Sequence, residues 1–226
     1  MKLKTICHRK VGNIGRTAAL LLCAATPLHA SEFTSRDGGP SAGEMLARSG
    51  SGSIEGMSFV RPVLSGVLYR SGFHGGDKAR TGLSAGQRSE LCEKGFSTAF
   101  YADFGSKTDY DTTSCASGQM SYQKARSSSP SSVMKAIHGV IENPEKGPVM
   151  VHCMWGVHSS GALSAMALVQ FCGWSEDRAK DYWNKARNKA PCSGGCDSWI
   201  DGKFEHFKVQ SSLNISDAQR AEICPK

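Results

Sequence analysis

No stretch of this 226-residue sequence holds the roughly 20 consecutive apolar residues that a membrane-spanning helix needs. No Asp or Glu occurs from Thr112 to Ile141, so that segment offers no carboxyl group for proton transfer. No CxxC pair occurs either, which removes the usual spacing of a thiol-redox site; Cys192 and Cys196 stand one residue further apart, in CSGGC. No internal repeat is visible. The positive charge is also absent where it would matter for nucleic acid. The formal net charge is +7, but five of those charges (Lys2, Lys4, Arg9, Lys10 and Arg16) lie in residues 1–30, which contain no acid. The remainder carries about +2, too little for a nucleic-acid footprint.

What is present at the start is a targeting pattern. A basic head leads into TAALLLCAAT and then PLHA, the layout of a secretory signal peptide with cleavage expected after Ala30. Leu22 is too bulky to precede a lipidated Cys23. The expectation is an exported protein, periplasmic or secreted, with no membrane contact once residues 1–30 are removed. Residues 31–57 are rich in Gly and Ser and poor in apolar residues, and are expected to form a flexible leader. Residues 58–226 would form one domain.

Seven cysteines follow residue 30: Cys92, Cys115, Cys153, Cys172, Cys192, Cys196 and Cys224. An oxidising compartment favours pairing, and an odd count leaves one thiol over, for which Cys153 is the natural candidate. The other reading is that fewer bridges form and several cysteines are small buried side chains. Spacing does not settle the connectivity. A metal site at CSGGC would need ligands beyond His206, so no metal and no cofactor is expected.

Local patterns give an order of elements. VLY, within Gly66 to Arg70, reads as a short strand. LSAGQRSELCEKG reads as a helix with Ser84 as its cap and Gly95 as its stop. FSTAFY reads as a strand, SKTDYDTTSCASG as polar loop, and QMSY as a short strand. VMKAIHGVIEN has helical spacing, with Ser131 or Ser132 as the cap. PVMVHC is apolar throughout, as a strand covered on both faces must be. GALSAMALVQFCG and WSEDRAKDYWNKARNKA are helices, and SDAQRAEIC is a last short one. Helices alternating with short strands indicate an α/β domain, a central and mostly parallel sheet flanked by helices.

The chemistry concentrates in VMVHCMWGVHSSG, residues 149–161. A loop between a strand end and a helix start points several backbone N–H groups into one concavity and adds the positive end of the helix dipole. Gly156 permits a tight turn. A Cys placed there is favoured as thiolate and faces any bound anion as a nucleophile. The plainer reading is a buried, inert Cys at the end of a core strand.

This segment resembles the signature of the protein-tyrosine and dual-specificity phosphatases, in which His-Cys, five residues, Arg, Ser or Thr, and Gly follow a strand. Here the series is His152, Cys153, Met154, Trp155, Gly156, Val157, His158, Ser159, Ser160 and Gly161. VLYRSG and GFSTAFYADFG also resemble strands of compact members, so the resemblance spans roughly residues 60–190. It implies that Cys153 forms a phosphocysteine and that amides from Met154 to Ser160 hold phosphate oxygens. It also implies that Ser160 assists departure of the sulfur and that His152 buttresses the loop and helps keep the Cys153 thiolate.

Two departures bear on catalysis. Ser159 stands where the family has an arginine that forks onto two phosphate oxygens, a geometry Ser does not reproduce. The loop QKARSSSP lacks the family's acid. Asp103, Asp109 and Asp111 could be drafted in, or be solvated loop residues. Arg126 could supply the missing charge and His158 a proton; Lys124 and Arg70 are further cations. The plainer reading of Lys124 and Arg126 is as surface charges. Trp155 would contact an aromatic substrate or pack on the core. Two functions follow: an exported phosphomonoester hydrolase with an altered cradle, acting on a phosphorylated small molecule or phosphoprotein, or a pseudophosphatase that binds an anion or partner without turnover. Nothing in the sequence sets the oligomeric state.

Overall fold

The structure is a computed structural model that describes residues 33–36, 38–46, 54–73, 82–102, 110–187, 189–192 and 194–226. The signal-peptide region, Asp103 and Asp109 lie outside these residues. Six strands form one sheet: β1 (Met57–Leu64), β2 (Leu68–Phe73), β3 (Thr98–Tyr101), β4 (Thr112–Cys115), β5 (Gly118–Lys124) and β6 (Val149–Cys153). Their order is β1-β2-β6-β3-β5-β4. The inner pairs β2–β6, β6–β3 and β3–β5 are parallel, and the two edge pairs are antiparallel. Among the described residues seven α-helices flank the sheet: α1 (Ala42–Leu46), α2 (Ala85–Glu93), α3 (Ser131–Glu142), α4 (Ser159–Cys172), α5 (Glu176–Arg187), α6 (Cys196–Phe204) and α7 (Asp217–Ile223). The fold is α/β with a mostly parallel centre, as the sequence indicates.

The strand β6 anchors the centre. Val149, Met150 and Val151 are fully buried, and each such side chain contributes roughly 1.5–3 kcal/mol. Alternation assigns them to two cores. Val149, Val151 and Cys153 face the side covered by α3, α4 and α5, while Met150 faces the side with Tyr69, Tyr101, Tyr122 and α2. The helix α4 is buried almost all round, between the sheet, α3 and α5, which is why its sequence shows no polar stripe. Ser84 caps α2 as expected: its hydroxyl accepts from Gln87 N, and the Gln87 side chain accepts from Ser84 N.

Four expectations need correction. The region 57–73 holds two strands in a hairpin, not one short strand, because Ser65–Val67 turns between them and the Val67 N–H reaches Leu64 O at 3.0 Å. Thr112–Cys115, expected as loop, pairs with β5 as an edge strand. The helix α3 has no serine cap; Pro130 occupies that position and no side chain caps it. Parts of the expected leader are docked. Phe33 packs on Tyr69 and Phe96, Met45 and Ile54 are buried, and Arg36 donates to the carbonyls of Val140 and Ile141. Those carbonyls close α3 and have no partner within the helix, so a cation there satisfies them.

Three disulfides form among the described residues: Cys92–Cys115, Cys172–Cys224 and Cys192–Cys196. Cys153 is the free cysteine among the described residues. The bridge Cys172–Cys224 ties the last helix to the end of α4, closing a span of 52 residues.

Candidate active site

Parallel pairing brings the C-terminal ends of β2, β6, β3 and β5 to one edge of the sheet. Gly72 lies beside Cys153, and Tyr101 beside His152. That edge is where an open α/β sheet offers a crevice to a ligand. Cys153 ends β6, residues 154–158 form the loop, and α4 starts at Ser159.

The loop lies directly on β2. Gly156 has φ +65°, and a Cβ there would collide with Gly72 N and Gly72 Cα. A Cβ on Gly72 would in turn meet Gly156 N at 2.9 Å. Only a pair of residues without side chains allows this approach. Two buried side chains then hold the loop. Arg61 Nη2 donates to Gly156 O at 3.3 Å, and Trp183 Nε1 donates to His158 O at 3.0 Å.

Cys153 is 4% exposed. Its sulfur is 3.2 Å from the Ser160 hydroxyl, which is fully buried and also lies 3.5 Å from Ser71 O. Both groups stand at the first turn of α4. The first intrahelical bond there runs from Ala162 N to His158 O at 2.8 Å, and no side chain caps the helix. The N–H groups of Ser159, Ser160 and Gly161 therefore have no intrahelical acceptor, and the positive end of the dipole is uncapped. The arrangement presents a sulfur nucleophile, a hydroxyl within hydrogen-bond reach of it, and an anion-favouring helix end.

His152 faces the opposite core. It stacks on Tyr101 with centroids 4.8 Å apart, and its Nε2 is 2.9 Å from Tyr122 Oη. The Leu83 N–H already donates to that oxygen at 2.9 Å. The Tyr122 proton is thus free to donate to Nε2, which places the ring proton on Nδ1. Burial pushes the His152 pKa down to about 3, and burial holds the Tyr122 phenol protonated. The expectation that His152 helps keep the thiolate is therefore corrected: a neutral imidazole lends no charge to the neighbouring sulfur. Its bond to Tyr122 instead fastens the end of β6 to β5.

The remaining candidates are placed as follows. Met154, Ser159 and His158 are half-buried, Val157 and Gly161 buried, and Trp155 is 64% exposed at the mouth of the loop. His158 Nε2 is 3.0 Å from Pro191 O, so the proton on that nitrogen is committed to a carbonyl. Asp111 is exposed and accepts from Thr112 N. Lys124 and Arg126 are exposed at the end of β5. The strand β3 separates them from β6, about 10 Å by strand spacing. Sequence reasoning missed Arg61, Tyr122 and Trp183. Arg61 carried a signal, a charged residue inside the alternation of a strand; the other two carried none, since an aromatic is an ordinary core residue.

No family model and no curated protein matches the sequence. Solved structures similar to it include TpbA of P. aeruginosa, at 15% identity over 70% of this chain and 89% of that one, TM-score 0.39. Human DUSP28 is similar at 17% identity over 69% and 97%, TM-score 0.39. The core catalytic domain of the PP-IP phosphatase SIW14 from S. cerevisiae is similar at 17% identity over 68% and 91%, TM-score 0.38. Likeness at this level says nothing of catalysis. Cys153 at the strand end, Gly156 in the turn and Ser160 beside the sulfur stand as the sequence resemblance implies, and Ser159 is where the sequence departs from that signature.

Proposed function

We propose that the protein is an exported, cysteine-dependent phosphatase that hydrolyses phosphomonoesters, of a phosphoprotein or a phosphorylated small molecule, through a phosphocysteine at Cys153. One observation carries the reading. Six of the seven cysteines from Cys92 onward are paired, and the seventh stands free beside a serine hydroxyl at an uncapped helix end. A thiol left unpaired where the other six pair, and set at a helix end that favours its thiolate, is placed to act as a nucleophile.

In the first step the Cys153 thiolate attacks phosphorus, an S–P bond forms, and the P–O ester bond breaks. The leaving oxygen takes a proton from water, since residues 112–141 offer no carboxyl group. In the second step water attacks phosphorus and the S–P bond breaks. The electron pair returns to sulfur while the Ser160 hydroxyl donates toward it, and inorganic phosphate leaves. A phosphatase of this design is slow. Loss of one neutral oxyanion donor alone lowers rates by about 10²–10³. Without a general acid, alkyl esters should lag behind aryl esters by about 10²–10⁴.

Ser159 and the acid-free segment favour a second reading, a cradle that binds the anion and does not turn it over. Hydrolysis of an aryl phosphate by the mature protein, measured from pH 5 to 8 beside Cys153→Ser, separates the two. Turnover that vanishes in the variant is expected. Equal rates in both proteins would leave binding without catalysis.

A further inference from the structure

The Ser159 position raises the question of where a compensating positive charge resides. Among the described residues the buried polar side chains are those of Arg61, Arg70, Ser71, Ser127, His152, Ser160, Ser164 and Gln170. Two are arginines and none is a carboxylate. The two arginines are direct partners across the β1–β2 pair, so their side chains leave the sheet on the same face, where like charges repel. Arg61 reaches up to the loop carbonyl of Gly156. Arg70 lies beside Val151 of β6, fully buried.

Arg70 is the fully buried charge without a hydrogen-bond partner. None of its Nε, Nη1 and Nη2 atoms makes a hydrogen bond, and it takes part in none of the ion pairs among the described residues. Its guanidinium lies 5.4 Å from the centre of the Tyr182 ring. Its Nη1 is 3.0 Å from the point where a Cβ on Gly161 would stand. Gly161 is in the first turn of α4, one residue past the serine that touches the Cys153 sulfur. The buried cation and the positive helix end therefore add at one place. An arginine keeps its charge in a protein interior, and a buried charge without a counter-charge is strongly destabilising.

We propose that Arg70 is a positioning charge for the bound anion. It takes over from beneath the cradle the electrostatic role that Ser159 leaves open at its rim, and the unfavourable field it creates in the empty protein is relieved when a phosphomonoester dianion binds. This rests on the reading of residues 153–161 as an anion cradle. Arg70 does not touch the phosphate oxygens; it acts through the potential at the first turn of α4. Arg61 adds to that potential while holding the loop.

The experiment is thermal unfolding of the mature protein with and without inorganic phosphate, for wild type, Arg70→Met and Arg70→Lys. Methionine keeps much of the volume and removes the charge. The wild type is expected to be stabilised by phosphate. Arg70→Met should melt no lower than wild type in phosphate-free buffer, since it replaces an unpaired buried charge by an apolar side chain. It should bind phosphate at least about tenfold more weakly, the scale of a charge interaction in a partly shielded site. Arg70→Lys should recover most of the binding. If Arg70→Met fails to fold, melts well below wild type, or keeps the full response to phosphate, the arginine is structural and the proposal is overturned. If wild type itself shows no response, the cradle reading fails, and that result is distinct from a failure confined to the variant.

Discussion

The two faces of the β2–β6 pair treat a buried base in opposite ways. On one face His152 avoids the penalty of burial by giving up its proton. Its pKa is pushed down to about 3, it stacks between two tyrosines, and it shares a hydrogen bond with Tyr122. On the other face Arg70 has no such exit. It stays charged, with no hydrogen-bond partner, next to a second arginine. On the first face the fully buried base is neutral and the nearest cation, Arg88 over the Tyr122 ring, bonds the Leu83 carbonyl, which suits a part whose work is to hold β6 in place. The second is charged and incomplete, and it is the face that carries Cys153, Ser160 and the open end of α4. A protein tolerates that imbalance most readily where a ligand completes it.

The largest expected effect tests whether the His152 site tolerates a buried charge. His152→Lys would place an ammonium between Tyr101 and Tyr122, where no carboxylate is buried among the described residues. Destabilisation of about 3–5 kcal/mol is expected from an uncompensated buried charge, measured by urea unfolding. A stable variant would erase the distinction between the faces. Next is the pH dependence of wild-type stability. His152 takes up a proton below about 6.5 when unfolded but only below about 3 when folded. Between those values the unfolded chain binds more protons, so stability is full above pH 6.5 and falls as pH drops. The limiting slope from this one group is about 1.4 kcal/mol per pH unit. His152→Asn should flatten that part of the profile, and an unchanged slope would assign it to other groups. The smallest effects come from single hydroxyls, one on each face. Tyr122→Phe removes the partner of Leu83 N and should lower stability by about 1–3 kcal/mol, with little change in the rate of aryl phosphate hydrolysis. Ser160→Ala should do the reverse, slowing dephosphorylation about tenfold, the worth of roughly one hydrogen bond, with little change in melting. Crossed outcomes would assign the chemistry to the wrong face.

Much of this was readable in the sequence, for physical reasons. The cradle is local: strand, Cys, turn glycine and helix are contiguous, so residues 149–161 contain nearly all of its backbone geometry. Counting cysteines left Cys153 over, although pairing depends on tertiary distances and could not be read. The helix α2 announced itself because Ser84 and Gln87 cap it within one turn. The missed features depend on distant partners. Thr112–Cys115 is a polar edge strand supported by β5 and by the Cys92–Cys115 bridge to α2, and neither support can be read locally. Phe33, Met45 and Ile54 are single anchors in a Gly- and Ser-rich stretch, and composition averages them away. Arg70 was visible as a cation at a strand end, but its partner Arg61 sits beyond a turn and beside Pro62. Only the register of β1 on β2 shows that two buried arginines share one face.

The most direct test of the central claim is to trap the intermediate. The mature protein would be mixed with an aryl phosphate, quenched in acid within the first turnover, digested and examined by mass spectrometry. The account predicts one phosphoryl group on the peptide that carries Cys153, absent from Cys153→Ser and longer-lived in Ser160→Ala. Release of the aryl product with no phosphoryl group on Cys153, or with an equal yield from Cys153→Ser, would contradict it.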